Sequence, residues 1–152
     1  MRFTWLFATA ALVAAGRPAA AQISVIPVRD LAFGPVIAGI PTSIGPSHPV
    51  RSGQFRLTAP VNLRLRFRLT LPTGLDGPAG ASLPISFNNT DGIAVGSAPN
   101  SVPEVFNPKA NQVVQNVGST TTNVFIGGTV SPAGDQPQGN YTGTITFTVT
   151  IF

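Results

Sequence analysis

Cysteine is absent from the 152 residues, which excludes disulfides and leaves the fold to be held by burial alone. A chain of this size can bury enough apolar surface to do so. Histidine occurs once, as His48 in a loop rich in Pro and Gly. No Gly-x-Ser-x-Gly turn accompanies it, so the base, nucleophile and orienting group of an acyl-transfer triad are not assembled in the sequence. One histidine without cysteine also excludes ordinary structural zinc. Acidic residues number five: Asp30, Asp76, Asp91, Glu104 and Asp135. Paired carboxylates for glycoside hydrolysis require two of them to converge, and four fall in apparent turns or loops. Asn88 to Gly92 offers oxygen atoms, but its pattern is not a calcium loop of the EF-hand kind and reads as an ordinary turn. The expectation is a protein that is not an enzyme, with no catalytic, cofactor-binding or metal site.

Lysine is nearly absent too, with Lys109 alone. Nucleic-acid binding calls for clustered Lys and Arg with interleaved aromatic residues, so that function is not expected. The sequence pI of about 11.2 reflects scarce charge rather than a dense basic patch. Long hydrophobic runs are missing apart from Phe3 to Ala15. That run follows Met1 and Arg2, is broken by Gly16-Arg17-Pro18, and leads to Ala19-Ala20-Ala21. A charged start, a short apolar core and small residues make a signal peptide over residues 1–21. The run is shorter than the roughly 20 residues a membrane-spanning helix needs. Export to the periplasm or the cell surface is therefore expected, as one domain over residues 22–152. That mature chain keeps seven basic and five acidic residues and loses Trp5, the only tryptophan.

What is present alternates. Val61, Leu63, Leu65, Phe67, Leu69 and Leu71 are separated by Asn62, Arg64, Arg66, Arg68 and Thr70. Ile145, Phe147, Val149 and Ile151 are separated by Thr146, Thr148 and Thr150. A period of two puts one face in the core and the other in water, and threonine suits the wet face of a strand. Ile23 to Phe33, Gln54 to Ala59, Leu83 to Asn88, Gln112 to Val117 and Asn123 to Val130 also read as strands. Turn clusters separate them at Pro72-Thr73-Gly74, Asp76-Gly77-Pro78, Asp91-Gly92 and Pro132 to Asp135. Gly96 to Ala110 reads as a long surface loop. About seven short strands in one domain predict an all-β fold, an antiparallel sandwich.

Three segments resemble a known bacterial family. They are Leu31-Ala32-Phe33-Gly34 with Val36 and Gly39; Gly53 to Thr58 continuing to Leu71-Pro72; and Gly127-Gly128-Thr129-Val130 with Pro137, Gly139, Tyr141, Gly143 and Thr144. Together they resemble a secreted domain family of uncharacterised function related to spore coat protein U and to archaic chaperone–usher pilus subunits. The resemblance implies an immunoglobulin-like sandwich in which a periplasmic chaperone, an usher and like subunits are the partners. It also implies a homopolymer built by β-strand addition. Tyr141, Ile145, Phe147, Val149 and Ile151 are then the strand-pairing residues. One departure stands out. Cleavage after Ala21 leaves only Gln22 ahead of Ile23 to Val28, so either that short run is itself the donor strand or the protein does not polymerise in this way.

Arg64, Arg66 and Arg68 share one strand face at about 6.6 Å intervals. They read either as a basic ladder for an anionic partner or as a solvated face that keeps the protein soluble. Three function classes remain: a fimbrial or surface-coat subunit, a stand-alone secreted or periplasmic binding module, and an outer-membrane β-barrel. The last is disfavoured, because the positions in phase with the terminal Phe152 are threonines, and a shift of one residue exchanges the two faces.

Overall fold

The structure, a computed structural model, describes residues 22–115 and 120–151. The expected signal peptide, the end of the strand expected over Gln112 to Val117, and Phe152 lie outside the described residues. Twelve strands are present among the described residues: β1 (Ser24–Arg29), β2 (Thr42–Ile44), β3 (Gly53–Thr58), β4 (Arg64–Thr70), β5 (Gly74–Asp76), β6 (Ser82–Ser86), β7 (Gly92–Gly96), β8 (Glu104–Phe106), β9 (Gln112–Gln115), β10 (Thr121–Ile126), β11 (Gly128–Val130) and β12 (Thr146–Ile151). The chain is an all-β protein of antiparallel sheets that do not close into a barrel. No helix among the described residues is long and apolar enough to cross a membrane.

Three ladders make the sandwich. One runs β1-β3-β10-β7-β8, a second β2-β11-β6-β5, and the third β12-β4-β9. The first two continue one another. Ile126 of β10 pairs with Gly53 and Gly92, and past Gly127 the same line resumes with Gly128 opposite Ile44. The single strand expected over Asn123 to Val130 is thus two strands, in different sheets. The reason is a close approach at Gly127. A Cβ there would strike the carbonyl of Ile44 and the backbone of Gly45 and Pro46.

β4 follows its alternation without exception: Leu65, Phe67 and Leu69 are buried, while Arg64, Arg66, Arg68 and Thr70 are exposed. The pattern ends sooner than the sequence predicts. Asn62 turns with φ of 61°, which leaves Val61 exposed and Leu63 half-buried. Four rings cross the core from one side to the other. Phe55 meets Phe147 at 5.3 Å between centroids, Phe147 stacks on Phe67 at 5.0 Å, and Phe67 meets Phe106 edge-on at 5.3 Å. Such pairs add to the burial of the rings themselves. Phe106 belongs to β8, inside the stretch expected to be a loop.

Candidate functional site

The two sides of the sandwich differ. On the β8–β9 side the chain itself seals the gap, because residues 107–111 connect the strands and Pro108 is fully buried. On the opposite side stand β1, at the end of the first ladder, and β12, at the end of the third. β12 pairs with β4 from Thr146↔Thr70 to Ile151↔Leu65, and no described strand pairs with its other edge. In an antiparallel strand, alternate residues direct N–H and C=O away from the existing partner. This side therefore presents an unpaired backbone edge.

Burial records the same gap. Phe147 and Val149 point into the sandwich yet are only half-buried, whereas Leu65, Phe67 and Leu69 of the neighbouring β4 are buried. Residues of identical period differ because β4 has a strand on each flank and β12 has one. Val149 packs with Ile23 and Val25 around Leu57, Ala59 and Leu65, which brings β1 and β12 to one side of the core. Where β1 ends and β12 begins, a groove of about 1390 Å³ opens, lined by Phe33, Val36, Phe55, Leu75, Tyr141 and Ile145 among others.

Of the residues expected to pair strands, Tyr141 and Ile145 line this groove, and the other three continue along β12. Ile145 lines it just before β12 begins, while Phe147 and Val149 lie beyond it as the half-buried inner row of β12 itself. Ile151 is 64% exposed at the far end. Tyr141 shapes the groove through its own loop. Its hydroxyl donates to the Pro137 carbonyl at 2.7 Å and accepts from Gln136 Nε2 at 2.8 Å. Its ring lies where a side chain on residue 77 would project, a place that glycine leaves open. Thr142 and Asp76 exchange backbone hydrogen bonds of 2.7 and 2.9 Å, which fixes this loop to β5.

The short run Ile23 to Val28 has a definite place. Its residues from Ser24 onward form β1 and pair with β3, from Ser24↔Thr58 to Pro27↔Phe55, so in this chain the run completes its own sheet. A polar clamp that alternation does not reveal holds the end of β1. Arg29 donates through Nε to the Ser52 carbonyl and through Nη2 to the Ser52 hydroxyl, both at 2.7 Å. Ser52 Oγ in turn donates to the His48 carbonyl at 2.7 Å. His48 Nδ1 accepts the backbone N–H of Arg51 at 3.1 Å and that of Val50 at 3.3 Å. The single histidine is thus the hinge of a turn that carries Ser52 to Arg29. Asp91 also has a local partner: its Oδ2 accepts the Asn88 N–H at 2.6 Å. Among the described residues no three His, Asp or Glu side chains gather to hold a metal ion.

Arg64, Arg66 and Arg68 lie on the outer face of β4, away from the groove, with Thr148 opposite Arg68 and Thr150 opposite Arg66. Compared with family models, with curated proteins and with solved structures, the chain finds no match.

Proposed function

We propose that this chain is a non-enzymatic, exported structural protein, a fimbrial or surface-coat subunit that assembles by taking an extended strand from a partner into the groove between β1 and β12. The observation that carries the reading is the free edge of β12 above a half-buried apolar row. An added strand would hydrogen-bond to that edge and lay alternate side chains over Phe147 and Val149. Each new backbone hydrogen bond contributes about 1 kcal/mol net, and the burial of the apolar row adds to it. The resemblance to the immunoglobulin-like domains related to spore coat protein U and archaic pilus subunits supports the same mechanism. A periplasmic chaperone, an usher and like subunits are then the partners, at the periplasm or the cell surface.

A second reading rests on the pairing of β1 with β3. Because the N-terminal run completes its own sheet, the chain also fits a stand-alone secreted binding module. The native mass of Gln22 to Phe152, expressed in a bacterial periplasm without partners, separates the two. Ladders, aggregates or an obligatory co-purifying chaperone support strand addition. A stable monomer with one cooperative melt overturns it and leaves the stand-alone module.

A further inference from the structure

The two strands that flank the open side differ in how their edges are defended. β1 carries Pro27, which has no N–H to offer, and its register with β3 shifts between Pro27 and Arg29. A proline and a bulge are devices that keep an edge from pairing with another chain. β12 has neither. Its register with β4 runs unbroken over six residues, and it contains no proline, glycine or charged side chain. An edge this long, regular and uncharged is a template for a further strand.

The sequence along that edge is symmetric. From Ile145 to Ile151 it reads Ile-Thr-Phe-Thr-Val-Thr-Ile, the same alternation of apolar residue and threonine in either direction from Thr148. We infer that the strand received by β12 is the β12 of a second copy, paired antiparallel about a two-fold axis at Thr148. The inference rests on the reading of β12 as the receiving edge and names its partner. Directly opposed residues of an antiparallel pair share one face, so the axis must pass through a residue and not between two. At Thr148 it sets Thr148 opposite Thr148 of the second copy, Thr146 opposite Thr150, Phe147 opposite Val149 and Ile145 opposite Ile151. Every apolar residue then meets an apolar one, the large ring faces the smaller valine, and Ile151, 64% exposed in the single chain, is covered. On the outer face the threonines oppose one another, a pairing in which hydroxyls hydrogen-bond across the strands. Charge does not oppose the contact. Arg68 of β4 stands opposite Thr148, so its counterpart in the second copy is three strand spacings away, roughly 14 Å. That exceeds the Debye length of about 10 Å at 0.1 M salt, and their repulsion is screened.

The test combines native mass with register-specific cross-linking. The chain has no cysteine, so a single introduced thiol reports the pairing without background. Thr148→Cys puts two thiols at directly opposed positions, with Cα atoms roughly 4.5–5.5 Å apart, within disulfide reach. Thr146→Cys leaves its two thiols offset by four residues, about 13 Å, out of reach. Thr146, Thr148 and Thr150 are all exposed, so none of these changes touches the core. The mature chain, Gln22 to Phe152, is expected at twice the single-chain mass. On mild oxidation Thr148→Cys is expected to become a covalent dimer on a denaturing gel, while Thr146→Cys alone stays single. An equal mixture of Thr146→Cys and Thr150→Cys is expected to cross-link, because the axis sets those positions opposite each other. Three results overturn the inference and leave strand addition standing: ladders of higher mass, a chaperone held in place of the second copy, or Thr146→Cys chains that cross-link as readily as Thr148→Cys. A single-chain mass without a Thr148→Cys cross-link overturns both.

Discussion

Phe55 of β3 and Phe147 of β12 meet across the open side of the sandwich, with ring centroids 5.3 Å apart and planes tilted by 39°. This contact joins the two sheets where no strand bridges them. Phe147 also stacks on Phe67, so one half-buried ring links the groove to the core. The two rings should differ in their worth. Phe67→Ala should cost about 4 kcal/mol, the range for a fully buried phenylalanine. Phe147→Ala in the isolated chain should cost about 2 kcal/mol, because part of that ring already faces water. Urea denaturation of both variants measures the difference, and equal losses would mean that Phe147 is already covered.

If the groove accepts a strand, a peptide with the right alternation should stabilise the isolated chain. A synthetic copy of Gln22 to Arg29, with apolar residues at every second position, is a suitable probe. At a free concentration a hundred times its Kd, binding adds about 2.7 kcal/mol, a Tm rise of roughly 8 °C. The same peptide with aspartate in place of Val25 should give no rise, since it would bury an unpaired carboxylate. A melting curve indifferent to both peptides would rule out strand addition by this segment.

Much of the sandwich is legible in the sequence where burial is one-sided. β4 and β12 alternate over their whole lengths because each has one face on the core and the other in water. The seven expected strands are all represented among the described residues. Four strands escape that reading: β2, β5, β7 and β8, three to five residues long. Three residues are too few for a period to show, and the glycines that bound β7, Gly92 and Gly96, mimic turn chemistry. Phe106 is the one strong apolar residue of β8, and a single buried ring does not announce a strand. The site divides in the same way. The inner row of β12 is plain from its spacing, whereas the open edge beside it is a property of topology. The clamp of Arg29 on Ser52 joins residues 23 positions apart, which local pattern does not encode.

That clamp yields a prediction about β1. Ser52 is completely buried and its hydroxyl serves Arg29 and the His48 carbonyl at once. Ser52→Ala removes both bonds and leaves part of a guanidinium without its partner, at a cost of about 2 kcal/mol. The loss should be local. Amide exchange over Ser24 to Arg29 should quicken relative to β4, because opening of an edge strand needs less free energy than global unfolding. Uniform quickening across the chain would show instead that β1 and the core open together.

The passage from β10 to β11 rests on the lack of a side chain at Gly127. Its backbone N–H donates to the Asp91 carbonyl at 2.8 Å, and a Cβ would collide with the Ile44 carbonyl and the backbone of Pro46. These neighbours are main-chain atoms of a paired strand and its turn, so they cannot swing aside as a side chain would. Gly127→Ala should cost about 3 kcal/mol from overpacking and lower the Tm accordingly. Gly45→Ala is the matched control, because a Cβ at residue 45 meets nothing within 4 Å. Thermal unfolding of both variants checks the claim. If Gly127→Ala melts with Gly45→Ala, then the strand has room to relax, and the close approach to Ile44 is not what divides β10 from β11.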